Sequence, residues 1–505
     1  MDSALLSRRD RAPARATLVL AAACLCQLMV VLDISVVNVA LPDICVSLGF
    51  TRTSLSWVVS AYTLAFGGLL LLGGRLADVL GHRRTMLGAL GAFGIASLLG
   101  GLAQSPGQLI AARAAQGVAA AVLSPVTLTV LMLSFPEGPE RRRAIATWGM
   151  VGTAGGALGV LLGGLLTEYL DWRCVLLVNV PLVVAATVFV FAALRETPAP
   201  EGERLDVPGA VLGRTSMTLL AYGCVHAGEH AWDNVVTVAA LAAALLTGVA
   251  FVAREVRAEA PLIRLSLLRS RPVWTTAVII ALVGATAVAG FYFLSLFLQN
   301  VLGYDPLATG LAFLPFCGAM AAATLASPRL VERFGARGVL TVGLTVAAVG
   351  MLGFARLDVG ASYGSFLLAS IPVSIGLGAS IAPTLALGTS GVVQREAGMV
   401  SGLLNASRQT GGSLALAVLT TVATRSSDHA GHGAHALAHG YRMAFLLSSA
   451  LLFAAAAIAR SRVPREPGPP PRRTRRGSVT GRLARRVRAG VPRPLAGVPQ
   501  AMQSN

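Results

Sequence analysis

Three observations predict an all-α membrane protein of fourteen transmembrane helices arranged 6+2+6. The composition is 55% hydrophobic and 13% charged over 505 residues, too apolar for a soluble chain of this length. Apolar runs of about 20 residues, enough to cross a hydrocarbon core of ~30 Å, recur between residues 17 and 459. A loop signature also occurs twice, 254 residues apart, each time after the second run of a half. That is the mark of a duplicated bundle.

The first half holds runs at 17–41, 54–72, 85–104, 108–133, 144–166 and 174–194. Two further runs, 208–227 and 235–253, stand between the halves. The second half holds 273–298, 307–327, 338–356, 363–387, 399–422 and 441–459. Gly and Pro inside these runs are tolerated in membrane helices. Polar stretches at 197–204 and 254–271 set the boundaries. The chain then divides into a cytoplasmic N-terminus (1–16), an N-terminal six-helix bundle (17–195), a linker with two extra transmembrane helices (196–272), a C-terminal six-helix bundle (273–459) and a basic tail (460–505). The tail holds twelve Arg and one Glu. This composition predicts a disordered cytoplasmic segment that lies against anionic lipid headgroups.

The net charge is +18, and every basic residue is Arg. Cytoplasmic termini leave only Arg52, Arg173, Arg356, Arg425 and Arg442 outside, with Arg113 and Arg408 inside helices. The positive-inside rule therefore selects cytoplasmic termini, and membrane topology replaces nucleic-acid binding as the account of the charge. The six Cys form no Cys-x-x-Cys pair and read as small apolar filler. Neither a Walker loop nor a Gly-x-Ser-x-Gly or His-Glu-x-x-His motif occurs. ATP-driven transport and enzyme catalysis are not supported, and no cofactor is expected.

The repeated loop holds Gly73, Gly74, Arg75, Leu76, Asp78, Gly81, Arg83 and Arg84. Its weaker copy holds Leu330, Glu332, Gly335 and Arg337 in matching places. A tight turn there brings a carboxylate near guanidinium groups at the membrane surface.

Asp33 and Asn38 lie in the first run. An Asp within hydrocarbon must be neutralised or paired, and such a group can take up and release a proton. The bland alternative is an Asp at a flared helix end that reaches headgroups. Arg113 is the lone charge of the fourth run, with Gln116 and Gly117 after it. By helical rise Asp33 lies ~12 Å, and Arg113 ~8 Å, below the outer ends of their helices. They can share a depth, unless Arg113 snorkels to the surface.

In the fifth run Gly152, Gly156, Gly159 and Gly163 fall on one helical face, flanked by Gly155 and Gly164. A stripe without side chains lets another helix pack at backbone distance and slide. In the thirteenth run Arg408 lies ~14 Å deep by helical rise, with Asn405 and Gln409 within one turn. It suits either an anionic substrate group or a structural ion pair. His429, His432, His435 and His439 gather before the last run. Their spacing allows a metal site on a helix, but the flanking Gly431, Gly433 and Gly440 favour a solvated loop, so no metal ligand is assigned.

Together these strings resemble the major facilitator superfamily, in particular its 14-helix drug:proton antiporter branch. The resemblance spans about residues 17–460 and includes the stretches 171–181, 291–304 and 401–412. Two departures stand in the fifth run, where Val160 replaces the usual Pro and Ala146 an upstream Gly. The resemblance implies the major facilitator fold and a bacterial plasma-membrane antiporter. Such a protein exchanges protons for hydrophobic drugs or antibiotics and suits self-resistance to a produced metabolite. It implies proton coupling at Asp33 and Arg113, and conformational switching at Asp78, Gly81, Arg83, Glu332, Gly335 and Arg337. It further implies an antiporter glycine stripe at Gly152, Gly156, Gly159, Gly163 and Gly164. The expected substrate cavity holds Asn38, Gln116, Tyr292, Asn405, Arg408 and Gln409. The expected partners are a small-molecule drug, protons and membrane lipids, with the protein a monomer. Two alternatives are an importer of a small nutrient and a metal-binding or sensory membrane protein built on the His-rich segment.

Overall fold

The computed structural model describes residues 3–194, 206–230, 232–258, 270–390, 394–431 and 433–463, with side chains except at 3–14, 71, 78, 153, 207, 228–229 and 394–398. Among the described residues every regular element is a helix. α1 covers Ser3–Leu48, α2 Trp57–Leu80, α3 His82–Gly101, α4 Pro106–Ser134 and α5 Pro139–Tyr169. A single turn, α6 (Cys174–Leu177), leads into α7 (Asn179–Ala193). α8 is Val207–Glu229 and α9 is Val235–Arg257. Then come α10 (Arg271–Asn300), α11 (Pro306–Phe354), α12 (Tyr363–Thr389), α13 (Gln394–His429) and α14 (Ala434–Arg462).

Ten of these helices are long and apolar enough to cross a membrane. One of the ten, α11, is two helices joined at a bend. Sharp starts come from local chemistry. Ser105 and Asp305 accept hydrogen bonds from the backbone N–H groups of Gln108 and Ala308, and a Pro occupies the first turn of each helix. The linker 197–204, most of the second linker and the tail 460–505 beyond Val463 lie outside the described residues.

The duplication is visible in the backbone. Gly81, between α2 and α3, has φ 87° and ψ 139°. Gly335, the bend in α11, has φ 72° and ψ 154°. Side chains exclude this region almost completely, so a tight reversal here needs glycine. Arg83 lies just past the first turn, its guanidinium carbon 5.0 Å from the Phe191 ring centroid. Glu332 is exposed beside the second turn, and Arg337 is half-buried. Asp78 is within α2, and its side chain lies outside the described residues.

Glycines also set the helix contacts. A Cβ on Gly159 would lie 2.8 Å from the Leu32 carbonyl oxygen, and one on Gly163 would lie 2.5 Å from that of Val36. α1 and α5 therefore meet backbone to backbone. α10 and α13 meet similarly, with Gly411 against Ala281 and Gly284 against the Arg408 carbonyl. The stripe on α5 is not uniform. Gly156 has room, 3.9 Å from Ser35 Oγ, while Gly164 faces Pro306 and Leu307 of α11 instead of α1. Gly152 approaches the Gln27 side chain, and Gly310 of α11 returns the contact to Val160.

Connections alternate between two ends of the bundle, named here for Phe50 and Gly81. Near the Phe50 end Ser295 Oγ donates to the Asn38 carbonyl (2.8 Å) and Gln299 Nε2 to that of Val39 (2.9 Å). These bonds tie α10 to α1. α8 lies along α2 and α13. Thr421 Oγ1 donates to the Cys224 carbonyl (3.1 Å), and Arg425 Nη2 donates to that of Ala227.

Two expectations need correction. Arg113 and Arg408 are not the only arginines inside apolar helices: Arg214 lies within α8, against Gly68 of α2, and its Nη1 is buried without a hydrogen-bond partner. The His-rich segment is not one loop. His429 ends α13, while His435 and His439 lie in the first turns of α14. Helix formation survives Gly440 because that residue packs on the Ala423 carbonyl. His432 lies outside the described residues. Within α10, Phe293 and Phe297 pack edge-on to Phe445, and Phe291 stacks on Phe313.

Candidate functional site

Asp33 and Arg113 meet in the interior. Arg113 Nη1 donates to Asp33 Oδ2 at 2.5 Å, and both side chains are essentially inaccessible. Leaving either charge alone in a dry interior costs several kcal/mol, so the surroundings must neutralise the pair. Gln116 Nε2 donates to Asp33 Oδ1 at 3.1 Å, and Asn179 Nδ2 donates to the same oxygen at 2.7 Å. The carboxylate thus accepts three hydrogen bonds.

The guanidinium is equally engaged. Its Nε donates to the Val58 carbonyl of α2 (3.0 Å), and Nη1 also reaches Gln116 Oε1 (2.8 Å). Its central carbon lies 4.5 Å from the Tyr62 ring centroid, a desolvated cation–π contact of about 2 kcal/mol. Gln116 completes the set by donating to Ser97 Oγ of α3 at 2.7 Å. Five helices therefore converge on one ion pair. The i, i+3 spacing of Arg113 and Gln116 puts both on one face of α4. The single turn of α6 places Asn179 at the start of α7, where its side chain can reach inward.

The sequence singles out neither Asn179 nor Tyr62 and Ser97 as site residues. Asn179 had a signal, being a polar residue inside the 174–194 apolar run, two before Pro181. Tyr62 and Ser97 had none, because isolated Tyr and Ser are common in membrane helices.

The other expected residues are scattered. Gln116 spends its amide on Asp33, Arg113 and Ser97. Asn38 is buried and donates to the Ile34 carbonyl of its own helix (2.8 Å), leaving its Oδ1 without a partner. Arg408 Nη2 donates to Asn405 Oδ1 at 3.2 Å. Gln409 is buried against Gly67 of α2, and its Nε2 has no partner. Tyr292 lines a cavity of about 350 Å³ at the Phe50 end, and its buried hydroxyl is also without a partner. Among acids near the Phe50 end, Glu168 is exposed and Asp171 binds Arg173 (3.5 Å) at the surface. The Glu229 side chain lies outside the described residues. His435 faces Asp358 at 3.4 Å rather than the other histidines.

A duplicated bundle, all-helical among the described residues and with a buried ion pair inside its first half, defines a multi-pass membrane transporter. The sequence pattern of the Major Facilitator Superfamily matches residues 23–416, and the chain belongs to that family. It is 45% identical over 415 residues to a cephamycin export protein of Amycolatopsis lactamdurans, covering 81% of this chain and 85% of that protein. It is 39% identical to a puromycin resistance protein of Streptomyces alboniger, covering 86% and 88%. Among solved structures it resembles a bacterial homologue of the human lysosomal transporter Spinster in an inward-facing, unoccupied conformation. There the TM-score is 0.63 at 16% identity, covering 88% of this chain and 96% of that one. An auto-inhibited POT family peptide transporter aligns with a TM-score of 0.66 at 16% identity, covering 90% and 98%. At such identities these structures speak for the fold alone.

Proposed function

We propose that the chain is a proton-coupled antiporter that exports hydrophobic drugs or antibiotics across the bacterial plasma membrane. Its relatives, named for cephamycin export and puromycin resistance, support export and self-resistance to a produced metabolite. The observation that carries the coupling is the location of Asp33. It lies between Leu32 and Val36, the two residues whose carbonyls receive the α5 glycines. Movement of α5 along α1 therefore bears directly on the ion pair. A proton arriving on Asp33 removes the charge that holds Arg113, and the loosened cluster allows α1 and α5 to shift. An inward proton supplies ~2.3 kcal/mol per 100 mV of membrane potential. The chain's role is transport and not catalysis.

In this reading the chain crosses the membrane fourteen times, with six-helix bundles at 17–195 and 273–459 and two extra helices between them. The Phe50 end faces outward and both termini are cytoplasmic, in accord with the Arg bias. The motif turns at Gly81 and Gly335 act as switching points at the cytoplasmic face, together with Asp78, Arg83, Glu332 and Arg337. The basic tail rests on anionic headgroups, and the protein works as a monomer. A reporter fused after Gly477 is then cytoplasmic, and one inserted at 431–433 is external.

The deciding experiment is substrate-induced proton release in reconstituted vesicles. Wild-type protein releases protons when substrate is added, and Asp33→Asn does not, although it still binds substrate. Wild-type proton counterflow in Asp33→Asn would place the coupling carboxylate elsewhere.

A further inference from the structure

Two intramembrane arginines occupy contrasting surroundings. Arg113 is neutralised by Asp33 and held by three further contacts. Arg408 has only the neutral Asn405 as a side-chain partner, and among the described residues no carboxylate pairs with it. Its stem and its own carbonyl press against Gly284 of α10, so the residue cannot easily swing out to a headgroup. The next residue, Gln409, packs on Gly67 of α2 and is 5% exposed with Nε2 unbonded. A guanidinium and an amide N–H without an acceptor, at this depth, favour an incoming anion.

The cavity at the Phe50 end repeats the pattern. Its walls are mostly apolar, with Leu55, Phe293, Leu296 and Leu437 among them. Among the described residues its one charged lining residue is Arg52, with no Asp or Glu. The Tyr292 hydroxyl, buried and without a partner, is available as a donor. A volume of about 350 Å³ is at the small end of sites for drug-sized ligands. The nearest buried acid on α1, Asp33, has both oxygens occupied. Among the described lining residues a cation would therefore meet the Arg52 guanidinium and no carboxylate.

We propose that the exported solute is an amphiphile bearing a carboxylate. Arg408 binds the carboxylate within the bundle, and Arg52 with Tyr292 receives it in the cavity at the Phe50 end. This rests on the export reading above and narrows its substrate class. The shared donor set reads the anion, and the apolar walls accommodate the rest of the molecule.

The test uses three probes with one apolar body: pyrenebutyrate, its methyl ester and pyrenebutylamine. Their transport is followed by fluorescence in proteoliposomes of the full chain at neutral pH. Pyrenebutyrate is expected to move at least about tenfold faster than the amine, a difference of ~1.4 kcal/mol. Arg408→Gln is expected to lower the acid-to-ester rate ratio by about tenfold, and Arg408→Lys to preserve most of it. Arg52→Gln, a change at an exposed position, raises the KM for the acid more than for the ester and keeps the test open should Arg408→Gln fail to fold. Faster transport of the amine, or acid-to-ester ratios unchanged in Arg408→Gln and Arg52→Gln, overturns the inference while leaving export intact. Transport of none of the three probes, nor of any antibiotic in a panel, overturns the export reading and this inference with it.

Discussion

Gly159 faces the carbonyl oxygen of Leu32 so closely that a Cβ at residue 159 would lie 2.8 Å from it. One residue further along α1 is Asp33. The contact surface of α5 and the buried charge of α1 thus share a single helical turn, joining the packing of the bundle to its ion pair.

Gly159 and Gly156 should therefore respond differently, although the sequence assigns both to one stripe. Gly159→Ala forces backbone separation and is expected to reduce efflux strongly, and Gly159→Leu to abolish it. Gly156→Ala adds a methyl 3.9 Å from Ser35 Oγ, an ordinary contact, and should leave efflux near wild type. Drug accumulation in a pump-deficient host at matched expression measures both. Equal loss in the two alanine variants would refute the contact map of α5.

Asp33→Ala leaves Arg113 buried and uncompensated, at a cost of about 3–5 kcal/mol. Adding Arg113→Leu removes the stranded charge and should recover most of that loss. The thermal midpoint in detergent reports both effects, and the coupling energy follows from the double-mutant cycle. Additive losses would mean that the two side chains do not depend on one another.

Gly81→Ala and Gly335→Ala each place a Cβ in backbone conformations that only glycine readily adopts. Each should destabilise by about 1–3 kcal/mol, and by similar amounts, since the two turns are copies. A thermal shift seen in one and absent in the other would break the equivalence of the two loops.

Much of this architecture is legible in the sequence because membranes restrict the chain. Run length and Arg placement constrain the helices, and the repeat at Leu76 and Leu330 exposes the duplication. The contact of Asp33 with Arg113 is legible too, since a lone acid and a lone base in apolar helices at equal depth have few other partners. The remaining contacts depend on helix rotation, which periodicity alone leaves loose. Gly164 turns toward α11 and Gly156 into open space for that reason. Arg214 escaped notice because a charge near the end of an apolar run reads as a loop residue. Tyr62 contributes its ring face to Arg113, a role that no spacing rule encodes.

Asn179 gives the sharpest test of the cluster beyond its two charges. Its Nδ2 donates to Asp33 Oδ1 at 2.7 Å, a charge-assisted bond worth about 1.5–3 kcal/mol. Its Oδ1 has no partner, so its purpose in that position is donation to the carboxylate. Asn179→Ala removes one of three donors and should weaken the hold on the anion without stranding a charge. The expected result is folded protein that moves substrate but releases fewer protons for each molecule exported. Asn38→Ala is the matched control, because the Asn38 amide donates to the Ile34 carbonyl of its own helix and does not touch Asp33. Proton release and substrate flux measured in the same vesicles give the ratio directly. If Asn38→Ala and Asn179→Ala lower it equally, the bond from Asn179 to Asp33 has no special part in coupling.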